Sequence, residues 1–130
     1  MQLTLKDDLP FVTVRGMYRA RQMEITDVLI DTGSASTILA ADAVAQLGIV
    51  PELDDILHVV RGVGGSEVVF SRKIDRLEVG GHGLEHFEVE VGGMDYGFEI
   101  NGILGMDFLI RTRAIIDLNR LELLHGDDRE

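Results

Sequence analysis

The stretch Val28-Leu29-Ile30-Asp31-Thr32-Gly33-Ser34-Ala35-Ser36 constrains this chain more than any other, because it runs three apolar residues straight into a carboxylate and a polar turn. An apolar run bounded by turn residues reads as a buried strand, so Asp31 is expected where that strand leaves the core. A carboxylate there is partly desolvated and open to tuning by its neighbours. Gly33 is expected to give the backbone angles that a side chain forbids, while Thr32 and Ser34 put hydroxyls beside the acid. Asp, Gly and Ser are also common turn residues, so Asp-Thr-Gly alone reads equally well as a plain strand-to-turn exit.

The rest of the chain reads as β structure punctuated by turns about every ten residues, the spacing of sandwiches and barrels. Leu3 and Leu5 alternate with polar neighbours, Pro10 is expected to end that segment, and Phe11 to Val14 starts a new strand. Gly16 suggests a nearby turn, and Met17 to Thr26 reads as part of a hairpin returning toward Val28. Beyond Asp31, Thr37-Ile38-Leu39 is expected as a short strand and Ala41 to Leu47 as a short helix stopped by Gly48 and Pro51. Glu52 to Asp55 reads as a solvated acidic loop, because the alternating oxygen ligands and following Glu of a calcium loop are missing.

Ile56 to Val60 and Ser66 to Phe70 flank a glycine-rich tip, Val60-Arg61-Gly62-Val63-Gly64-Gly65, and are expected to pair as a hairpin. A phosphate loop would need a helix after the glycines, and a β-like segment follows instead. Ile74 to Val79, a Gly80-Gly81 turn and Phe87-Glu88-Val89-Glu90-Val91 continue the pattern, with Phe87, Val89 and Val91 on one face. Asn101-Gly102 turns into Ile103-Leu104-Gly105, Asp107 is expected to cap a helix from about Phe108 to Arg113, and Ile115 to Leu118 and Leu121 to Leu124 form the last strands. The polar tail from Gly126 to Glu130 is expected to fray.

Three features taken in order give the chain a family resemblance. The apolar-Asp-Thr-Gly-Ser element at 28–34, the glycine-rich hairpin at 60–65 and Ile103-Leu104-Gly105-Met106-Asp107-Phe108 resemble, in content and spacing, the active-site loop, flap and apolar-apolar-Gly element of the retropepsin-like aspartic proteases, the family of the retroviral proteases and their cellular and bacterial relatives. The resemblance covers roughly residues 10 to 124. It implies a mainly β fold, a closed barrel-like half of an acid protease with two short helices, completed as a homodimer.

Within that resemblance Asp31, Thr32 and Gly33 are the catalytic element. Ser34, Ile103, Leu104 and Gly105 support it, with Ser34 donating to Asp31 and Thr32 bonding across the dimer axis. Arg61, Gly62, Val63, Gly64 and Gly65 form the flap that closes over an extended peptide. The chemistry needs two carboxylates sharing a proton, and one chain supplies one Asp-Thr-Gly, so each of two subunits is expected to contribute Asp31. The implied function is an aspartic endopeptidase that uses no cofactor or metal. Strand, turn and short helix recur around Gly105 as a weak echo of the Asp31 region, without a second Asp-Thr-Gly. The dimer-forming termini of the viral members are not recognisable.

Composition limits the alternatives. At 130 residues and 45% hydrophobic content the chain is expected to form one domain over 1–130. A net charge of −11 with 12 basic residues, scattered rather than clustered, argues against a nucleic-acid partner and mildly favours neutral or basic substrates. Cysteine is absent, which removes disulfides, thiol nucleophiles and thiolate metal sites. No apolar stretch approaches a membrane span and Met1 to Phe11 has no leader pattern, so a cytoplasmic protein with no membrane partner is the expectation.

Two other functions stay open on the residues alone. One is a catalytically silent dimerising or peptide-binding module on the same fold. The other is a metal-dependent hydrolase using His82 and His86, since His82-Gly83-Leu84-Glu85-His86 matches a zinc-protease pattern. That pattern requires a helix, which Gly80, Gly81 and Gly83 disfavour. His58 and His125 read as exposed strand or loop histidines.

Overall fold

The computed structural model of the chain describes residues 1–62, 65–93 and 99–126. Over these it is mainly β. The strands are β1 (Thr4–Lys6), β2 (Leu9–Tyr18), β3 (Arg21–Ile30), β4 (Ile38–Ala40), β5 (Leu57–Gly62), β6 (Gly65–Val79), β7 (His82–Gly92), β8 (Gly102–Leu104), β9 (Ala114–Asp117) and β10 (Glu122–His125). Two short helices interrupt them, α1 (Ala41–Val44), which tightens into a 3-10 turn at Ala45–Leu47, and α2 (Met106–Arg111). Gly48, in the left-handed conformation, ends the first of these as expected.

Eight strands hydrogen-bond in the order β1-β2-β3-β8-β4-β7-β6-β5, and a further pairing of β2 with β6 turns the middle of that sheet into a ring. The long β6 makes this ring. Its first residues pair with β5, its length pairs with β7, and Arg76, Leu77 and Glu78 reach β2 at Met17, Gly16 and Arg15. The sequence suggests two strands over this stretch, but β6 runs 15 residues unbroken, because partners on both sides satisfy its backbone.

Two other boundaries also differ from expectation. Pro10 lies inside β2, opposite Leu5, near the start of the strand where its missing N–H is tolerated. Gly16 lies in mid-strand, and the turn comes later at Arg19 and Ala20, both with positive φ. What Gly16 supplies is room, since a Cβ there would stand 3.3 Å from the Leu47 side chain that packs over it.

The alternation of β7 puts Phe87, Val89 and Val91 in the interior, where they are almost completely buried. They join Val28, Ile30, Leu39 and Leu104 in the main core, and Phe108 of α2 meets Phe87 edge-to-face at 5.8 Å. A second, smaller cluster of Phe11, Ile100 and Ile103, with Leu9 and Leu29, lies apart from it. The two ends of the described chain meet. Leu123 N–H donates to the Met1 carbonyl, Leu3 N–H donates to that of Leu121, and Gln2 bridges Glu122 beside the β9–β10 pair. Gly126 is packed against Arg113 rather than frayed, and the expected fraying of 127–130 falls outside the described residues.

The acidic loop at 52–55 is not simply solvated. The carboxylate of Asp55 is mostly buried and accepts a 2.8 Å bond from the buried guanidinium of Arg72, which also donates to the Val50 carbonyl and the Tyr18 hydroxyl. Burial works against the charge on Arg72, but the Tyr18 hydroxyl, Asp55 and Glu52 outweigh it and hold its pKa above the usual value. The guanidinium therefore stays charged and anchors the loop to β2 and β6.

Candidate active site

Asp31 stands where β3 leaves the sheet. β3 runs parallel to β8, with Val28, Leu29 and Ile30 beside Gly102, Ile103 and Leu104, and the Asp31 N–H continues the ladder by donating to the Leu104 carbonyl at 3.0 Å. The backbone then turns. Ser34 N–H donates to the Asp31 carbonyl at 3.2 Å, and Gly33 N–H donates to Asp31 Oδ1 at 2.9 Å. Asp31 is half-buried, and Thr32 and Gly33 are exposed at the tip. Gly33 does not occupy the left-handed region, contrary to expectation. Its need is spatial, because a Cβ would lie 3.2 Å from Asp31 Oδ1.

The Ile103-Leu104-Gly105 segment grips this turn from below. Met106 N–H donates to the Ser34 carbonyl at 2.8 Å and Asp107 N–H to that of Ala35 at 3.2 Å. Backbones approach so closely that a Cβ on Gly105 would sit 2.3 Å from the Ser36 carbonyl oxygen, which only glycine avoids. Gly105 N–H also donates to Thr37 Oγ1 at 3.1 Å, and that buried hydroxyl donates to Asp107 Oδ1 at 2.7 Å. Asp107 Oδ2 accepts from Thr37 N–H at 3.2 Å. Asp107 thus lies in the first turn of α2, with Gly105 at its N-cap, and accepts from Phe108 N–H while holding Thr37 across 70 residues of sequence. Thr37 reads in the sequence only as the start of a strand, and nothing local marks it as the partner of Asp107.

Ser34 departs from expectation. Its hydroxyl donates to the Ser36 carbonyl at 2.7 Å and not to the Asp31 carboxylate. A hydroxyl has one proton to donate, and the turn takes it. In the hairpin expected to serve as the flap, the backbones of Arg61 and Gly62 pair with Ser66 and Gly65, while Val63 and Gly64 lie outside the described residues.

The histidine pattern does not form a helical metal site. His82 and His86 lie on the strand β7, with His86 at positive φ, and so do not share one face of a helix as the pattern requires. Among the described residues no cluster of three or more His, Cys, Asp or Glu could hold a metal. His125 is buried, not exposed, and stacks on His82 with ring centres 4.1 Å apart. His58 is only half exposed and bonds Glu90 Oε2 at 2.7 Å. No described helix is long and apolar enough to cross a membrane.

Residues 12–108 match the model of the aspartyl protease family, and the chain belongs to that family, within its retropepsin-like clan. The match begins in β2 and ends in α2, so it takes in both the Asp31 turn and the segment that grips it. The chain is also similar to the UBA domain-containing protein Mud1 of Schizosaccharomyces pombe, 31% identical over 101 residues. That alignment covers 76% of this chain and 29% of the relative, so the chain spans less than a third of that protein's length.

Proposed function

We propose that the chain is an aspartic endopeptidase whose active site is built from Asp31 of two identical subunits. The observation that carries this reading is the state of the two acids near the turn. Asp31 has one oxygen held by Gly33 N–H on an exposed tip, whereas both oxygens of Asp107 are engaged by Thr37 and Phe108. Asp107 is therefore a brace, and this reading takes the second catalytic carboxylate from Asp31 of a second chain. A twofold axis at Thr32 and Gly33 would set two such tips face to face.

In the resulting dyad the two carboxylates share one proton. The ionised one takes a proton from water as the water oxygen attacks the peptide carbonyl carbon, and the protonated one donates to the carbonyl oxygen. Collapse of the tetrahedral intermediate breaks the C–N bond, with a proton delivered to the leaving nitrogen. Thr32 braces the paired turns across the axis, and the β5–β6 hairpin covers an extended substrate.

The test is incubation of the purified chain with a diverse peptide library, beside Asp31→Ala. Cleavage by the wild type alone, insensitive to chelators, supports the reading. Absence of cleavage at concentrations where the chain is dimeric would favour a silent peptide-binding module on the same fold.

A further inference from the structure

Resting on the peptidase reading, a second feature of the same sheet face bears on the substrate. β3, β8, β4, β7 and β6 are successive neighbours, and their registers line up one transverse row in which Leu29 adjoins Ile103, Ile103 adjoins Ile38, Ile38 adjoins Glu90, and Glu90 adjoins Ser71. Residues paired across a sheet project to the same side, and alternation along β3 carries Asp31, two residues beyond Leu29, to that side as well. Glu90 thus shares a face with the catalytic turn, three strand spacings or about 14 Å from β3.

The carboxylate of Glu90 is held in a particular way. Oε2 receives Ser71 Oγ at 2.9 Å and His58 Nε2 at 2.7 Å, one contact from each of the next two strands. Oε1 has no hydrogen-bond partner among the described residues, and the side chain keeps 16% of its surface exposed. The backbone is fixed too, since Glu90 N–H donates at 2.9 Å to the carbonyl of Thr37, the residue that braces the Asp31 turn. A carboxylate oriented through one oxygen, on a row whose neighbours toward Asp31 are the apolar Ile38 and Ile103, is built to receive a cationic donor.

We propose that Glu90, oriented by His58 and Ser71, is a specificity determinant that takes a lysine or arginine side chain of the peptide substrate. At about 3.3 Å per extended residue, the cation belongs to a residue within about four positions of the bond cleaved. The net charge of −11 favours the approach of such substrates.

Library profiling of the wild type should show lysine and arginine enriched at one distance from the cleaved bond, on either side of it, because the twofold axis sets one Glu90 on each side. For a peptide cleaved efficiently, the ratio of kcat/KM between its lysine form and its norleucine analogue should fall about tenfold in Glu90→Gln, which keeps the shape and removes the charge. The ratio is read on one enzyme sample, so a partly unfolded variant does not alter it, and a merely structural tie between strands would leave it unchanged. Glu90→Lys should turn the preference toward acidic side chains. Cleavage with no basic enrichment, or a ratio that Glu90→Gln leaves unmoved, would overturn this proposal while leaving the peptidase reading intact. Absence of any cleavage would overturn both.

Discussion

Replacing one oxygen of Asp31 by an amide nitrogen leaves the turn intact, because the remaining oxygen still accepts from Gly33 N–H. It removes the shared proton on which the chemistry depends. Asp31→Asn should therefore lower kcat/KM by at least about a hundredfold with little change in melting temperature. Activity within tenfold of wild type on a chromogenic peptide would rule out the aspartic mechanism. Ser34 leads to the opposite expectation. Since its hydroxyl serves the Ser36 carbonyl, Ser34→Ala should cost about 1 kcal/mol of stability and leave the pH profile of kcat/KM in place. An upward move of both limbs of that profile would mean that the hydroxyl turns to the ionised dyad in the working enzyme.

Among elements, β8 and the start of α2 matter through what they hold. The Thr37 hydroxyl links Gly105 to Asp107, so Thr37→Val strands the buried Gly105 N–H and takes from Asp107 Oδ1 one of its two donors, leaving Phe108 N–H. A loss of about 2–3 kcal/mol in urea denaturation is expected, with Thr37→Ser recovering most of it. Equal losses in the two variants would assign the effect to the methyl group instead. The 50–55 loop depends similarly on Arg72. Arg72→Ala leaves the mostly buried Asp55 carboxylate without its cation and should destabilise by about 3 kcal/mol. Because the guanidinium pKa is raised, its stabilisation is complete below the unfolded-state value and is lost only as pH rises through the higher folded value. The difference in melting temperature between wild type and Arg72→Ala should accordingly stay constant from pH 6 to 9; a difference that collapses in that window would contradict a permanently charged Arg72.

At the scale of the whole molecule, the proposed site is complete only when two chains meet, so activity per chain should depend on concentration. Specific activity is expected to rise with protein concentration and level off as the dimer saturates, in step with the association seen by analytical ultracentrifugation. Constant activity per chain down to a demonstrably monomeric sample would eliminate the shared site. Within one chain, Met1 to Leu3 pair with 121–123, so these backbone groups are already satisfied inside the protomer. The association surface is therefore expected at the exposed tip around Thr32.

The sequence by itself determined the elements whose cause is local. The apolar run into Asp31, the alternation of Phe87, Val89 and Val91, the Gly48 stop and the ordered trio of motifs were all legible, because strand burial and turn chemistry follow from neighbours along the chain. Tertiary structure decided whatever depended on partners distant in sequence. The unbroken β6 follows from pairing with three other strands, and the place of Gly16 from Leu47 lying over it. The Thr37–Asp107 clamp, the Arg72–Asp55 anchor and the His58–Ser71–Glu90 row each join residues far apart in the chain. Ser34 shows the same rule at the shortest range: its position near Asp31 was evident, but which acceptor its one proton would choose was fixed by the path of the folded turn.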